Sequence, residues 1–269
     1  MAHVYPLALA PSLVDQLVEL ELLPFTAGCR LTLTPHTRVY VHPFLPLLPD
    51  ANVIVLTGVP TGGIPDLEME IESALARDIV PQYRLFLPDH SPLLELESSL
   101  HIHGYHRQDI QLLYRPTSPT PPPSTSLTFR QVKTPADMAI LDQLDQEALR
   151  GQPGDIRQIR FMLSTRRREL TRELGMGWWL ATLGGTVVGS VGTFERQGHF
   201  SIQSLQTRPT FQRRGMGYEL MATVLQELDH QKGEGTSLLV AADNIPALRL
   251  YQKLGFEQVG CLRLMTRAR

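Results

Sequence analysis

Arg213 and Arg214, set between Gln212 and Gly215-Met216-Gly217, are residues whose types and spacing could bind an anion. Residues 200–207 before them alternate apolar and polar as a strand does. Residues 218–229 after them repeat Leu220, Met221, Val224, Leu225 and Leu228 at helical spacing. A turn between a strand and a helix aims unpaired backbone N–H groups and the positive end of the helix at one spot. Two guanidinium groups add to that field, and two glycines let the backbone approach closely. The chemistry is that of a pyrophosphate site. Arginine and glycine in a turn are also ordinary loop composition, so this segment does not decide the matter alone.

A second constellation follows at residues 244–256. Asn244 suits a helix cap, Pro246 a first-turn proline and Gly255 the C-terminal stop, with Tyr251 inside the helix and Phe256 opening another strand. Together, the turn 212–217 and the run Asn244-x-x-Ala247-x-x-Leu250-Tyr251-x-x-x-Gly255-Phe256 give residues 127–269 a resemblance to the GNAT superfamily of acyl-CoA-dependent N-acetyltransferases.

The resemblance implies acetyl-CoA as cosubstrate, acyl transfer to an amine as reaction, and a cleft between two splayed parallel strands. Carried over, Leu205, Gln206 and Thr207 would bond the pantetheine arm through their main chain. The loop from Gln212 through Arg213, Arg214, Gly215, Met216 and Gly217 to Tyr218 would hold the diphosphate, and Asn244 and Ala247 would line the other side.

Acyl transfer needs a neutral amine, a stabilised oxyanion and a protonated leaving thiolate. The resemblance gives the last task to Tyr251; a tyrosine bridging helix and sheet is the plainer role. Many members use a strand glutamate as base, but residues 201–207 hold no carboxylate. Glu195 is the base candidate, with His199 beside it; a solvated hairpin glutamate and a surface histidine are the plainer readings. A water relay to Gln203 is the remaining route. The amine acceptor, a small molecule or a peptide, and the acyl chain length stay open. Binding or sensing of acyl-CoA without turnover is the alternative function.

Residues 127–132 read as a strand, 134–149 and 155–174 as helices, and 177–183 and 187–196 as a hairpin around Gly184-Gly185. This element order is similar to the GNAT arrangement, and the resemblance implies an α/β fold class, a mixed sheet with helices on both faces. Residues 115–126, rich in Pro, Ser and Thr, have linker composition. The halves echo each other: Asp89-His90-Ser91-Pro92 matches Asp243-Asn244-Ile245-Pro246, and Gly104-Tyr105 matches Gly255-Phe256. The expected architecture is two GNAT-like acyl-CoA N-acyltransferase folds in tandem: 1–115 degenerate, 116–126 linker, 127–269 catalytic. In the first half Thr61-Gly62-Gly63-Ile64-Pro65-Asp66 replaces the arginine turn and Glu97 stands where Tyr251 does, so no CoA is expected there.

The chain has 269 residues, 42% hydrophobic, with a net charge of −2. That balance gives no field for recruiting nucleic acid. Two cysteines exclude a disulfide scaffold. Pro6, Pro11, Asp15, Glu19 and Glu21 break up the apolar N-terminus, so neither a signal peptide nor a membrane span is expected and the reading is cytoplasmic. The basic run Arg166-Arg167-Arg168 reads as a solvated face; the resemblance sets its helix beside the acceptor site, which leaves an acidic acceptor open. Of Trp178 and Trp179, one ring is expected in the core and the other beside the acceptor cleft. His101, His103 and His106 lack an acidic or Cys partner at ligand spacing, so no metal is expected. Sequence leaves monomer and homodimer equally open.

Overall fold

The computed structural model describes residues 12–87, 93–119, 127–149 and 155–268. The echo at residues 89–92 and most of the linker, 120–126, lie outside them. In the first half, α1 (Leu13–Thr26) leads to β1 (Arg30–Leu33), β2 (Thr37–Val41), β3 (Asn52–Leu56), α2 (Ile64–Leu75), β4 (Gln82–Leu87), α3 (Leu93–Ile102) and β5 (His106–Pro116). The second half runs β6 (Thr128–Gln131), α4 (Pro135–Ala148), α5 (Ile156–Leu174), β7 (Gly177–Leu183), β8 (Thr186–Arg196), β9 (His199–Thr207), α6 (Met216–His230), β10 (Gly235–Ala241), α7 (Ile245–Lys253) and β11 (Glu257–Ala268).

Local chemistry sets the helix ends. Ser12 with Asp15 and Thr134 with Asp137 form capping boxes at α1 and α4. Asp155 caps α5, which stops at Gly175 in the left-handed conformation. The ends of α4 and α5 agree with the periodicity and cap residues to within two positions. The repeat is also clear in the element order: β1-β2-β3-α2-β4-α3-β5 is the counterpart of β7-β8-β9-α6-β10-α7-β11. The chain is therefore a mixed α/β protein with tandem folds.

The eleven strands among the described residues form one sheet, in the order β1-β2-β3-β4-β11-β5-β10-β9-β8-β7-β6. The closing strands are exchanged. β5 of the first half pairs antiparallel with β10 of the second, from Gly235 opposite Pro116 to Ala241 opposite Ile110. β11 of the second half pairs antiparallel with β4 of the first, from Arg263 opposite Leu87 to Ala268 opposite Gln82. β5 and β11 then pair with each other at the centre of the sheet. Glu97 of α3 joins them: its carboxylate contacts Arg107 of β5 and lies 3.1 Å from Arg263 of β11.

Helix α1 lies on the sheet across both halves. Leu17 and Leu20 pack with Leu112 of β5, Leu144 of α4, Leu170 of α5 and Trp178 of β7. Each such buried side chain contributes about 2 kcal/mol through area removed from water. Helix α5 is tied to α1 by Arg166, whose Nη2 donates to the Pro24 carbonyl at 2.6 Å and whose Nη1 donates to the Ala27 carbonyl and contacts Glu169 at 2.9 Å. The last carbonyls of a helix have no partners within it, and a cation there is favourable. Glu169 in turn lies 2.7 Å from Nε2 of the buried His42.

Candidate active site

Strands β9 and β10 run parallel and pair only from His199 opposite Gly235 to Ser201 opposite Ser237. β9 continues to Thr207 and β10 to Ala241, so past that rung the two strands part. A bulge helps turn β9 away. Its register with β8 shifts between Ser190 and Gly192, and Ser204 sits at φ 53°. A left-handed non-glycine residue in a strand is an unfavourable conformation that the surroundings must hold. Gly189 on β8 allows the close approach this needs: a Cβ there would meet the Gln206 carbonyl oxygen at 2.5 Å. The counterpart strand β3 has five residues and no such extension.

Two cavities meet on the parted segment of β9. One, of about 310 Å³, runs along Gln206, Thr207, Arg208 and Gln212 to Leu144 and Ala148 of α4. The other, of about 360 Å³, is walled by α1 (Pro24, Phe25), α5 (Arg166, Arg167), Trp178 and Asp145, with Gln203 and Ser204 on its β9 side. Leu205 and Gln206 line both. The Gln206 side chain is fixed, donating to Ser190 Oγ at 3.0 Å and to Asp145 Oδ1 at 3.3 Å.

The turn after β9 opens onto solvent. Gln212, Arg213, Arg214 and Gly215 are exposed, and Gln212 is anchored by donating to the Thr207 carbonyl at 3.1 Å. Gly215 caps α6 at φ 80° with no side chain bonded to the helix end. The first bond from this turn into the helix is Glu219 N–H to the Gly215 carbonyl, at 3.1 Å. The amides of Met216, Gly217 and Tyr218 thus stand at a free helix N-terminus. The Arg214 guanidinium lies 5.9 Å from the Phe211 ring centre. The matching turn of the first half is closed by its own chain: the Asp66 carboxylate accepts from Gly62 N–H at 3.0 Å.

Across the parted strands, Asn244 caps α7 by accepting from Ala247 N–H at 3.3 Å. Tyr251 points inward from α7, 7% exposed, its ring 5.8 Å from that of Phe256. Its hydroxyl makes no hydrogen bond among the described residues. Burial pushes its pKa up to about 12, so it stays protonated.

Other sequence expectations fall elsewhere. Glu195 is exposed and accepts from Gly198 N–H at 2.6 Å, closing the β8–β9 hairpin. His199 is buried, not surface-exposed as read, with Nε2 3.2 Å from Glu234. Glu195 lies near the end of β8 and His199 begins β9, while the turn and cavities lie at the far end of β9. The structure therefore does not bring Glu195 to the site. Arg166 and Arg167 are not a solvated face: they are 5% and 7% exposed. Arg167 contacts Asp142 at 2.7 Å and Asp145, and its guanidinium lies 5.2 Å from the Trp178 ring centre. Carboxylates and a ring absorb these cations, so they offer no free field to an acidic acceptor. Trp178, the core ring, is also the one on the cavity wall, while Trp179 is half-buried on the opposite face.

Residues 141–256 match the family model described as "Acetyltransferase (GNAT) family". Among curated proteins, the mycothiol acetyltransferase of Brachybacterium faecium is 35% identical over 107 residues, covering 35% of this chain and 32% of that protein. The N-alpha-acetyltransferase RimI of Mycobacterium tuberculosis is 35% identical over 88 residues, covering 31% of this chain and 53% of that protein. The chain thus spans about a third to a half of the length of these relatives. A GCN5-related N-acetyltransferase from Kribbella flavida superposes over 95% of both chains with a TM-score of 0.65 at 16% identity. A tandem GNAT protein from the clavulanic acid biosynthesis pathway superposes over 86% of this chain and 78% of its own, with a TM-score of 0.57 at 13% identity. At such identities these superpositions speak for the fold, and they extend it to both halves. With parted strands, an open turn and the matched segment coinciding, residues 141–256 form a domain of the acetyltransferase (GNAT) family within a chain of tandem GNAT folds.

Proposed function

We propose that the chain transfers an acetyl group from acetyl-CoA to a primary amine held in the larger cavity. One observation carries this reading: the cavity beside the open turn and the cavity shared by the two halves meet at Leu205 and Gln206. A thioester placed at that junction would face an amine entering from the other side, and proximity supplies much of the rate for so reactive an ester.

The residues fit the cosubstrate. The amides of Met216, Gly217 and Tyr218, with Arg213 and Arg214, suit a diphosphate. The β9 main chain at Leu205, Gln206 and Thr207, freed from β10, can bond an amide-bearing arm, and Asn244 and Ala247 stand opposite. Acetyl-CoA supplies the activated acyl group. Tyr251, kept protonated by burial, can donate its proton to the departing thiolate. In the first half, Asp66 occupies the amide that an anion would need and Glu97 is engaged by two arginines. That half contributes Pro24 and Phe25 to the acceptor cavity instead.

Isothermal titration with acetyl-CoA tests the reading: micromolar binding is expected, and its absence overturns the proposal. Free-thiol release across a panel of amines then identifies the acceptor. Binding of acyl-CoA without turnover is the second reading, favoured by the lack of a carboxylate on residues 201–207. Micromolar binding with no thiol release from any amine would select it.

A further inference from the structure

The most buried carboxylate on the sheet face comes from the half that lacks the open turn. Glu21 of α1 is 0% exposed and lies at the last rung joining β9 to β10. Ser237 Oγ donates to its Oε1 at 2.6 Å and Gln203 Nε2 donates to its Oε2 at 2.8 Å. The Ser201 hydroxyl is a third partner. Gln203 Nε2 also donates to Ser201 Oγ at 2.8 Å. A carboxylate accepts only, which fixes the orientation of the Gln203 amide. With both Nε2 hydrogens used, the Gln203 side chain keeps one group to offer the acceptor cavity it lines, its Oε1.

We infer that Glu21 is a positioning residue for the acceptor: it locks Gln203 so that the amide oxygen faces the cavity and receives an N–H of the incoming amine. The inference rests on the transferase reading above and adds to it a contribution of the first half to acceptor binding. Burial raises the pKa of Glu21 to about 7, against the lowering by Ser237, Ser201 and Gln203. In either protonation state one carboxyl oxygen accepts from Gln203, because the Ser237 hydroxyl can accept as well as donate.

Glu21→Leu tests this at similar volume by removing both acceptor oxygens. Gln203 Nε2 then loses the partner that fixes its amide, and its oxygen is no longer held toward the cavity. Assays use the full chain, acetyl-CoA, and whichever of spermidine, glucosamine or an alanine-initiated peptide releases thiol fastest. The KM for that amine should rise about tenfold, the loss of one hydrogen bond, with the KM for acetyl-CoA unchanged. Gln203→Leu, which leaves α1 untouched, should do the same, and the double variant should add little more. A wild-type chain that releases no thiol with any amine overturns the transferase reading, and with it this inference. An active wild type whose amine KM is unchanged in either single variant, or whose KM for acetyl-CoA rises equally, overturns the inference alone. Should Glu21→Leu fail to fold, Gln203→Leu decides.

Discussion

Arg166 Nη2 donates to the carbonyl oxygen of Pro24 across 2.6 Å, joining the longest helix of the second half to the last turn of the first helix of the chain. The guanidinium is 7% exposed and also engages Ala27 and Glu169. Arg166→Leu leaves two helix carbonyls and one carboxylate short of a partner. Unsatisfied buried groups of this kind cost a few kcal/mol, so urea denaturation should show a loss of about 3 kcal/mol. An unchanged midpoint would mean that α1 does not depend on this contact.

The exchanged strands make the halves interdependent. Residues 127–269 alone would leave β10 without β5 and β11 without either neighbour, exposing the apolar edge at the centre of the sheet. Expressed alone, that segment is expected to aggregate or give a poorly dispersed NMR spectrum. Co-expression with residues 1–126 should recover a soluble pair that co-purifies. A well-dispersed monomer of the second half by itself would contradict this.

Replacing Arg213 and Arg214 together with Ala removes two exposed cations from the turn. Charge-assisted bonds to phosphate contribute about 1.5 kcal/mol or more each, so the Kd for acetyl-CoA should weaken about 100-fold, with little change in Tm. The wild-type Kd should also rise with salt more steeply than that of the variant.

Tyr251→Phe keeps the ring contact with Phe256 and removes only the hydroxyl. Loss of a general acid lowers turnover about 100-fold, while calorimetric affinity for acetyl-CoA stays within twofold. Because the hydroxyl titrates near 12, the pH profile should show no falling limb from it within the assay range. Unchanged turnover would remove Tyr251 from the chemistry.

Glu21 also sets a pH dependence of stability. Its native pKa, near 7, lies above the ordinary carboxylate value of 4.5, so the folded chain binds the proton more tightly than the unfolded one. Its contribution is fully present below pH 4.5 and is lost as pH rises to about 7. Glu21→Gln removes that slope. Measured against wild type, the variant should gain on the order of 3 kcal/mol between pH 4.5 and 7.5, an upper bound from the full shift. Parallel stability curves would show that Glu21 is not held in its neutral form.

Most elements were legible because their signals are local. Asn244, Pro246 and Gly255 mark α7, and Thr134 and Asp155 mark α4 and α5. The turn at 212–217 is likewise a contiguous motif. Strand exchange was not legible, since β5 and β11 are both long closing strands and nothing in either names its neighbour. Arg166 and Arg167 misled because their partners, Pro24, Asp142 and Asp145, are distant in sequence or on another helix. Glu195 is the base candidate because it stands late on the strand before β9, but the length of β9 separates it from the turn. Glu21 carried one usable signal: it falls four residues after Leu17, on the helix face that the leucines bury.

The position of β11 beside β4 also bears on how the chain acquires its structure during synthesis. β4 leaves the ribosome long before its neighbour in the sheet, and the whole second half must be translated before β11 can insert. Until then the edge of β4 is open, and pairing requires closure of a very long loop. The nascent first half is thus a natural client for a chaperone that shields an unpaired strand.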